Sequence, residues 1–128
     1  MKIISLIARL LLGLIFTVFG LNGFLHFIPM PPLPAGPAGQ FMGAMFVSHF
    51  LVFVFLVQLV GGVLLLIGQF VPLALTLLAP VIVNIVLFHA LMAPPGLPLA
   101  TVVTVLWCLV AYRCRAAFAG LFAQRTGD

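Results

Sequence analysis

The chain has 128 residues, of which 66% are hydrophobic and only 5% charged, with a mean hydropathy of +1.45. A water-soluble domain carries about a quarter of its residues as charges, so a soluble fold is excluded and lipid is the solvent for most of this surface. The net charge of +4 comes from Lys2, Arg9, Arg113, Arg115 and Arg125 against a single acid, Asp128, too sparse a set for a nucleic-acid surface.

At about 20 residues per span, the length suits one domain of four helices with short loops. Continuous Leu-rich runs, rather than alternation over about ten residues, argue against a β-barrel. Lys and Arg accumulate on the cytoplasmic side of membrane spans, and none occurs between Arg9 and Arg113. Both termini are therefore expected in the cytoplasm, which requires an even number of spans. The expectation is an all-α, integral membrane four-helix bundle, with helices over about 3–28, 49–67, 71–91 and 99–118 and a proline-rich outer loop over 29–39.

The first apolar run, 3–28, is longer than the core of a signal peptide and ends in bulky residues, so it reads as a retained span. At 100° per residue, Arg9, Gly13, Thr17 and Gly20 fall in one stripe, and small residues there let a second helix approach closely. Asn22 and His26, four apart, share the opposite face. Arg9 is expected to snorkel to the cytoplasmic headgroups. Five prolines between Pro29 and Pro37 stop the helix, and 40–48 reads as a short interfacial helix or the lead-in to the second span. That span carries Gln58, expected in an interhelical hydrogen bond, and the pair Gly61–Gly62. Gly68-Gln69-Phe70 is the inner turn, and Pro72 suits the first turn of the third span, which also holds Pro80, Asn84 and His89. A second outer turn follows at 92–98. The fourth span begins with Thr101 and Thr104 and ends in Trp107, Tyr112, Arg113 and Arg115, aromatics with arginines that mark a cytoplasmic interface.

This threading brings all three histidines to the non-cytoplasmic side. The candidate site residues are Asn22, His26, His49, Asn84 and His89, with Thr101 and Thr104 in the same leaflet. Three readings compete: headgroup-level hydrogen bonding with helix-tying asparagines; a quinone or small polar-ligand pocket walled by Phe24, Phe27, Phe50 and Phe88; and a histidine metal site, which lacks a nearby carboxylate and an HxxxH pair. With Asp128 the only carboxylate side chain, paired-acid catalysis and a Ser-His-Asp triad are excluded. No phosphate-binding or dinucleotide loop is present. Cys108 and Cys114, six apart near the cytoplasmic end, do not suit a disulfide.

The run from Arg9 to Gly13, Phe19-Gly20, the proline-rich outer turn, Gly61–Gly62 and the turn from Phe70 to Ala74 resemble DoxX-type membrane proteins over about residues 5–118. That resemblance implies a compact four-helix protein of the bacterial cytoplasmic membrane with both termini inside. The family takes its name from a subunit of an archaeal quinol oxidase and thiosulfate:quinone oxidoreductase system, and other members are proposed to tether redox enzymes. It implies a non-catalytic subunit or anchor of a larger membrane redox complex, or a homo-oligomer, in the lipid bilayer and without nucleic acid. The alternative is a quinone-interacting component using the histidines. Many members have a lysine near the end of the first helix, where this chain has Asn22 and His26.

Overall fold

Hydrophobic periodicity and proline placement divide the chain into five α-helices: α1 (Lys2–Leu25), α2 (Pro37–Val47), α3 (Phe50–Ile67), α4 (Val71–Leu91) and α5 (Leu97–Arg113), with 3-10 turns at Pro94–Gly96 and Arg115–Phe122. The computed structural model describes residues 2–28 and 32–126. Part of the proline-rich loop, 29–31, and the end of the tail, including Asp128, lie outside the described residues. The fold is all-α, with no strand among the described residues. Four helices are long and apolar enough to cross a membrane: α1, α3, α4, and α5 with its leading 3-10 turn. The protein is a multi-pass membrane protein.

The helix ends are set by local chemistry more than by the length of the apolar runs. α1 stops three residues short of position 28 because the Asn22 side chain captures the chain leaving it, its Oδ1 accepting the Ile28 N–H at 2.7 Å. His26 takes the left-handed conformation there, at φ 52°. The segment expected as a lead-in is a separate helix, α2, begun by Pro37 after Gly36. His49, again left-handed at φ 63°, turns the chain from α2 into α3. The fourth span is displaced from 99–118 to Leu97–Arg113. Arg115 folds back to donate to the Tyr112 carbonyl at 2.9 Å, the acceptor that a continuing helix would give to the N–H four residues on. Its guanidinium also sits 4.4 Å from the Tyr112 ring centroid, and the chain tightens into the 3-10 stretch.

The four spanning helices form a ring in which α1 packs on α3, α3 on α4, α4 on α5, and α5 back on α1, with α2 resting against α3. Neighbours are antiparallel. Gly13 meets Gly62 and Leu65, whereas Gly20, further along α1, meets Leu59, earlier in α3. Lipid gives no hydrophobic drive for helices to associate, so close packing must hold them. Gly13 and Gly62 supply it: a Cβ on Gly62 would lie 2.6 Å from the Thr17 backbone nitrogen and 2.9 Å from the Gly13 oxygen. The backbones of α1 and α3 are in direct contact along the stripe legible in the sequence.

Inside the ring, Leu12, Leu65, Leu75 and Leu78 are fully buried, joined by Ala8, Phe16, Ala74, Ile82, Val103 and Val110. The outward surface is as apolar as the core, with Leu14, Phe53, Val83 and Val105 all more than half exposed. That is the arrangement expected of a bundle whose exterior faces acyl chains.

Candidate functional site

The antiparallel ring has two chemically distinct ends. One carries the C-termini of α1 and α4 and all three histidines; the other carries the C-termini of α3 and α5 and the basic residues Lys2, Arg9, Arg113 and Arg115.

At the histidine end the side chains of Asn22, Asn84 and His89 bond to backbone close to them in sequence, whereas those of His26 and His49 make no hydrogen bond among the described residues. Asn22 accepts from Ile28 N–H, and its carbonyl accepts the His26 N–H at 2.8 Å. His26 and His49 are exposed and occupy left-handed junctions, after α1 and before α3. Histidine, with Asn and Asp, is enriched among the non-glycine residues that tolerate this conformation. Asn84 faces outward, and its Nδ2 donates to the Pro80 carbonyl one turn back at 2.8 Å. Thr104 bonds Ala100 in the same way. His89 is half-buried, with Nδ1 3.1 Å from the Ala93 carbonyl oxygen. Because a carbonyl only accepts, Nδ1 is the donor in this contact, and in the neutral tautomer that carries this proton Nε2 is an acceptor. The ring lies over Gly96, whose position a Cβ would block, and packs edge-on to Phe88 at 5.2 Å, which is tilted against Phe41 of α2 at 5.7 Å.

None of the side-chain hydrogen bonds among the described residues links two of the five candidates. Among those residues, no group of three or more His, Cys, Asp or Glu side chains is placed to hold a metal ion. A cavity of about 190 Å³ near this end is lined by Val86, Leu97, Ala100, Thr101, Thr104 and Val105, so it contains the two threonines but none of the five candidates. Of the four phenylalanines expected as walls, Phe24 pairs with Phe55 at 6.5 Å and Phe88 with Phe41.

At the basic end Arg9 turns inward and donates from Nη1 to the Leu65 carbonyl, an orphan acceptor in the last turn of α3. The expected excursion to the headgroups is overridden because an unpaired carbonyl beside Gly68, which leaves the helix at φ 72°, is close enough to reach. Lys2, Ser5, Leu6, Arg9, Val71, Val110, Arg113 and Cys114 line a second cavity, of about 360 Å³. Cys114 donates its thiol to the Val110 carbonyl at 3.1 Å. Burial pushes that thiol up from its ordinary pKa, outweighing a smaller lowering by its backbone hydrogen bond.

No protein-family model matches the chain, and neither a curated protein nor a solved structure does.

Two residues carry more of the architecture than the sequence suggested. Trp107, read as an interface marker, is half-buried and donates its indole N–H to the Leu75 carbonyl of α4 at 3.0 Å. Arg9 and Trp107 make the side-chain hydrogen bonds between spanning helices among the described residues, whereas buried Gln58, expected in that role, makes none. The signal for Trp107 was its position: it lies six residues before Arg113, more than one turn inside the span.

Proposed function

We propose that this protein is a non-catalytic subunit or anchor of a larger redox or respiratory complex in the bacterial cytoplasmic membrane, with both termini in the cytoplasm. One observation carries the proposal: Asn22, Asn84 and His89 spend their side chains on nearby backbone, and His26 and His49 stand apart at exposed helix junctions, so the five do not converge on one centre. What the bundle offers a partner is its apolar outer surface, not a reactive centre. The DoxX-like run of residues supports the same reading. Mild-detergent extraction from cells expressing the protein at native level, followed by mass spectrometry, recovers it with a larger membrane partner. Recovery only as a lone, ligand-free protein, or only with copies of itself, overturns the assignment. Orientation has its own test: reporter fusions at Ala35 and Pro95 read out the outside and a fusion after Thr126 the inside.

The second reading, a quinone-interacting component, is favoured by one observation, the His89–Phe88–Phe41 aromatic series beside α2. With Nδ1–H given to Ala93, Nε2 suits a quinol hydroxyl, which donates, better than a quinone carbonyl, which accepts. Replacing His89 by Phe then weakens quinol binding and leaves quinone binding little changed. Equal effects on both would remove this version.

A further inference from the structure

The cavity at the basic end differs from the histidine end in what its walls present. Three cationic residues, Lys2, Arg9 and Arg113, share the lining of one space of about 360 Å³ with Ser5, whose hydroxyl donates to the Lys2 carbonyl, and the remaining wall includes Leu6, Val71 and Val110. No Asp or Glu lies among the described residues. Helix ends do not provide the compensating charge. α1 and α4 bring positive N-terminal ends and α3 and α5 negative C-terminal ends, so these largely offset one another and the side chains set the sign. Arg9 is held in place by its Nη1 contact with Leu65, and one carbonyl uses only part of a five-donor guanidinium.

We propose that this cavity is a binding site for an anionic glycerophospholipid, its phosphate received by Lys2, Arg9 and Arg113 and its acyl chains lying on the apolar surface that continues from the rim. Phosphate chemistry alone would equally suit a free anion. The lipid is favoured because the cationic groups and the apolar lining belong to one cavity, and because Leu6, one of its apolar walls, is also 46% exposed on the outer surface of α1. Juxtamembrane basic clusters and basic pockets between spanning helices recognise acidic headgroups in this manner.

Cys114 lines the cavity and serves as a reporter in full-length protein carrying Cys108→Ser. Delipidated protein in neutral detergent is titrated with phosphatidylglycerol, phosphatidylcholine or inorganic phosphate, and binding is read by native mass spectrometry and by the alkylation rate of Cys114. Phosphatidylglycerol binds and slows alkylation, while phosphatidylcholine and millimolar phosphate do neither. Lys2→Gln and Arg113→Gln, both at exposed positions, each lower phosphatidylglycerol affinity about fivefold and together about 25-fold. Arg9 is left intact because it also closes α3. Equal protection by phosphatidylcholine, protection by phosphate alone, or indifference to the double substitution overturns the proposal. So does exposure of Cys114 in lipid-free protein by Asp128→Asn, which would make the chain's own tail the occupant.

Discussion

Gly62→Ala measures whether α1 and α3 are held by backbone contact. The added Cβ would lie 2.6 Å from the Thr17 nitrogen and 2.9 Å from the Gly13 oxygen, where ordinary contact begins at 3.4 Å. The overlap with Thr17 is therefore 3.4 − 2.6, about 0.8 Å, and both obstacles are backbone atoms that cannot rotate away. The helices must separate by a comparable distance, and a radial gap of about 0.5–1 Å forfeits roughly a quarter to a half of each dispersion contact it spans. Overpacking of this kind costs about 1–3 kcal/mol, from which roughly 0.5–1 kcal/mol is recovered because Ala is the better helix residue. The net expectation is a loss of about 0–2.5 kcal/mol, centred a little above 1. Gly43→Ala is the control: its nearest obstacle is Leu33 Cδ1 at 3.8 Å, so only the helix-propensity gain of about 0.5–1 kcal/mol remains. Gly61→Ala should approach the loss of Gly62→Ala, because its Cβ meets the branch atom Cγ of the fully buried Leu78 at 2.7 Å. Reversible unfolding in mixed micelles, followed by the fluorescence of the sole tryptophan, ranks the three variants. Equal midpoints for Gly62→Ala and Gly43→Ala would show that the two backbones are not in contact.

Thr17→Val should stabilise the protein by about 1 kcal/mol in the same assay, since Thr17 Oγ1 is buried with no hydrogen-bond partner among the described residues and the isostere removes that cost; a loss would mean that the hydroxyl has a partner. Trp107→Phe keeps an aromatic ring but removes the donor to Leu75, for a loss of about 0.5–1.5 kcal/mol, measured by thermal unfolding with circular dichroism. His26→Gly and His49→Gly relieve left-handed backbone at φ 52° and 63° and should each be neutral to stabilising by about 1 kcal/mol, with partner recovery unchanged; loss of the partner complex from either variant would mark that histidine as functional. Alkylation of Cys114 requires its thiolate, and burial disfavours that form. Its rate at neutral pH should therefore lie below that of an unfolded control and keep rising with pH beyond the point where the control levels off; identical pH profiles would contradict the burial of this thiol.

The glycine stripe was legible because its signal is purely periodic. Gly13, Thr17 and Gly20 need only 100° spacing to fall on one face, and the antiparallel partner brings Leu59, Gly62 and Leu65 to it. The α4 boundaries were equally legible, since Gly68, Pro72 and Pro94 bracket a continuous apolar run. So were those of α3, expected over 49–67 and found at Phe50–Ile67; the end of α1 and the bounds of the fourth span were not, and the ends of both α1 and α5 involve a side chain returning to backbone. Nothing in composition says that Asn22 reaches Ile28, that Arg115 reaches Tyr112, or that Arg9 crosses to a carbonyl 56 residues away. The same limit applies to the candidate site. Sequence could bring Asn22, His26, His49, Asn84 and His89 to one leaflet, but whether such groups meet each other or their own helices is decided by rotamers and chain reversal.

The concentration of asparagine and histidine at one end follows from how helices finish in a membrane. Each leaves carbonyls without partners in its last turn, and hydrocarbon penalises every unsatisfied polar group. At the basic end cations do this work, Arg9 on Leu65 of α3 and Arg115 on Tyr112 of α5, in the favourable orientation of a positive group at a helix C-terminus. At the histidine end, which the proposed orientation makes non-cytoplasmic, arginine would oppose the positive-inside rule, and neutral side chains fix the chain leaving the helix instead, bonding backbone groups beyond its last turn rather than its final carbonyls. Asn22 pins the exit of α1 through Ile28, and His89 pins the exit of α4 through Ala93. Charge asymmetry between the leaflets therefore selects different closing residues for the two pairs of C-termini. Helix ends thus account for Asn22, His26, His49 and His89 at this leaflet, while Asn84 spends its amide on its own helix at Pro80.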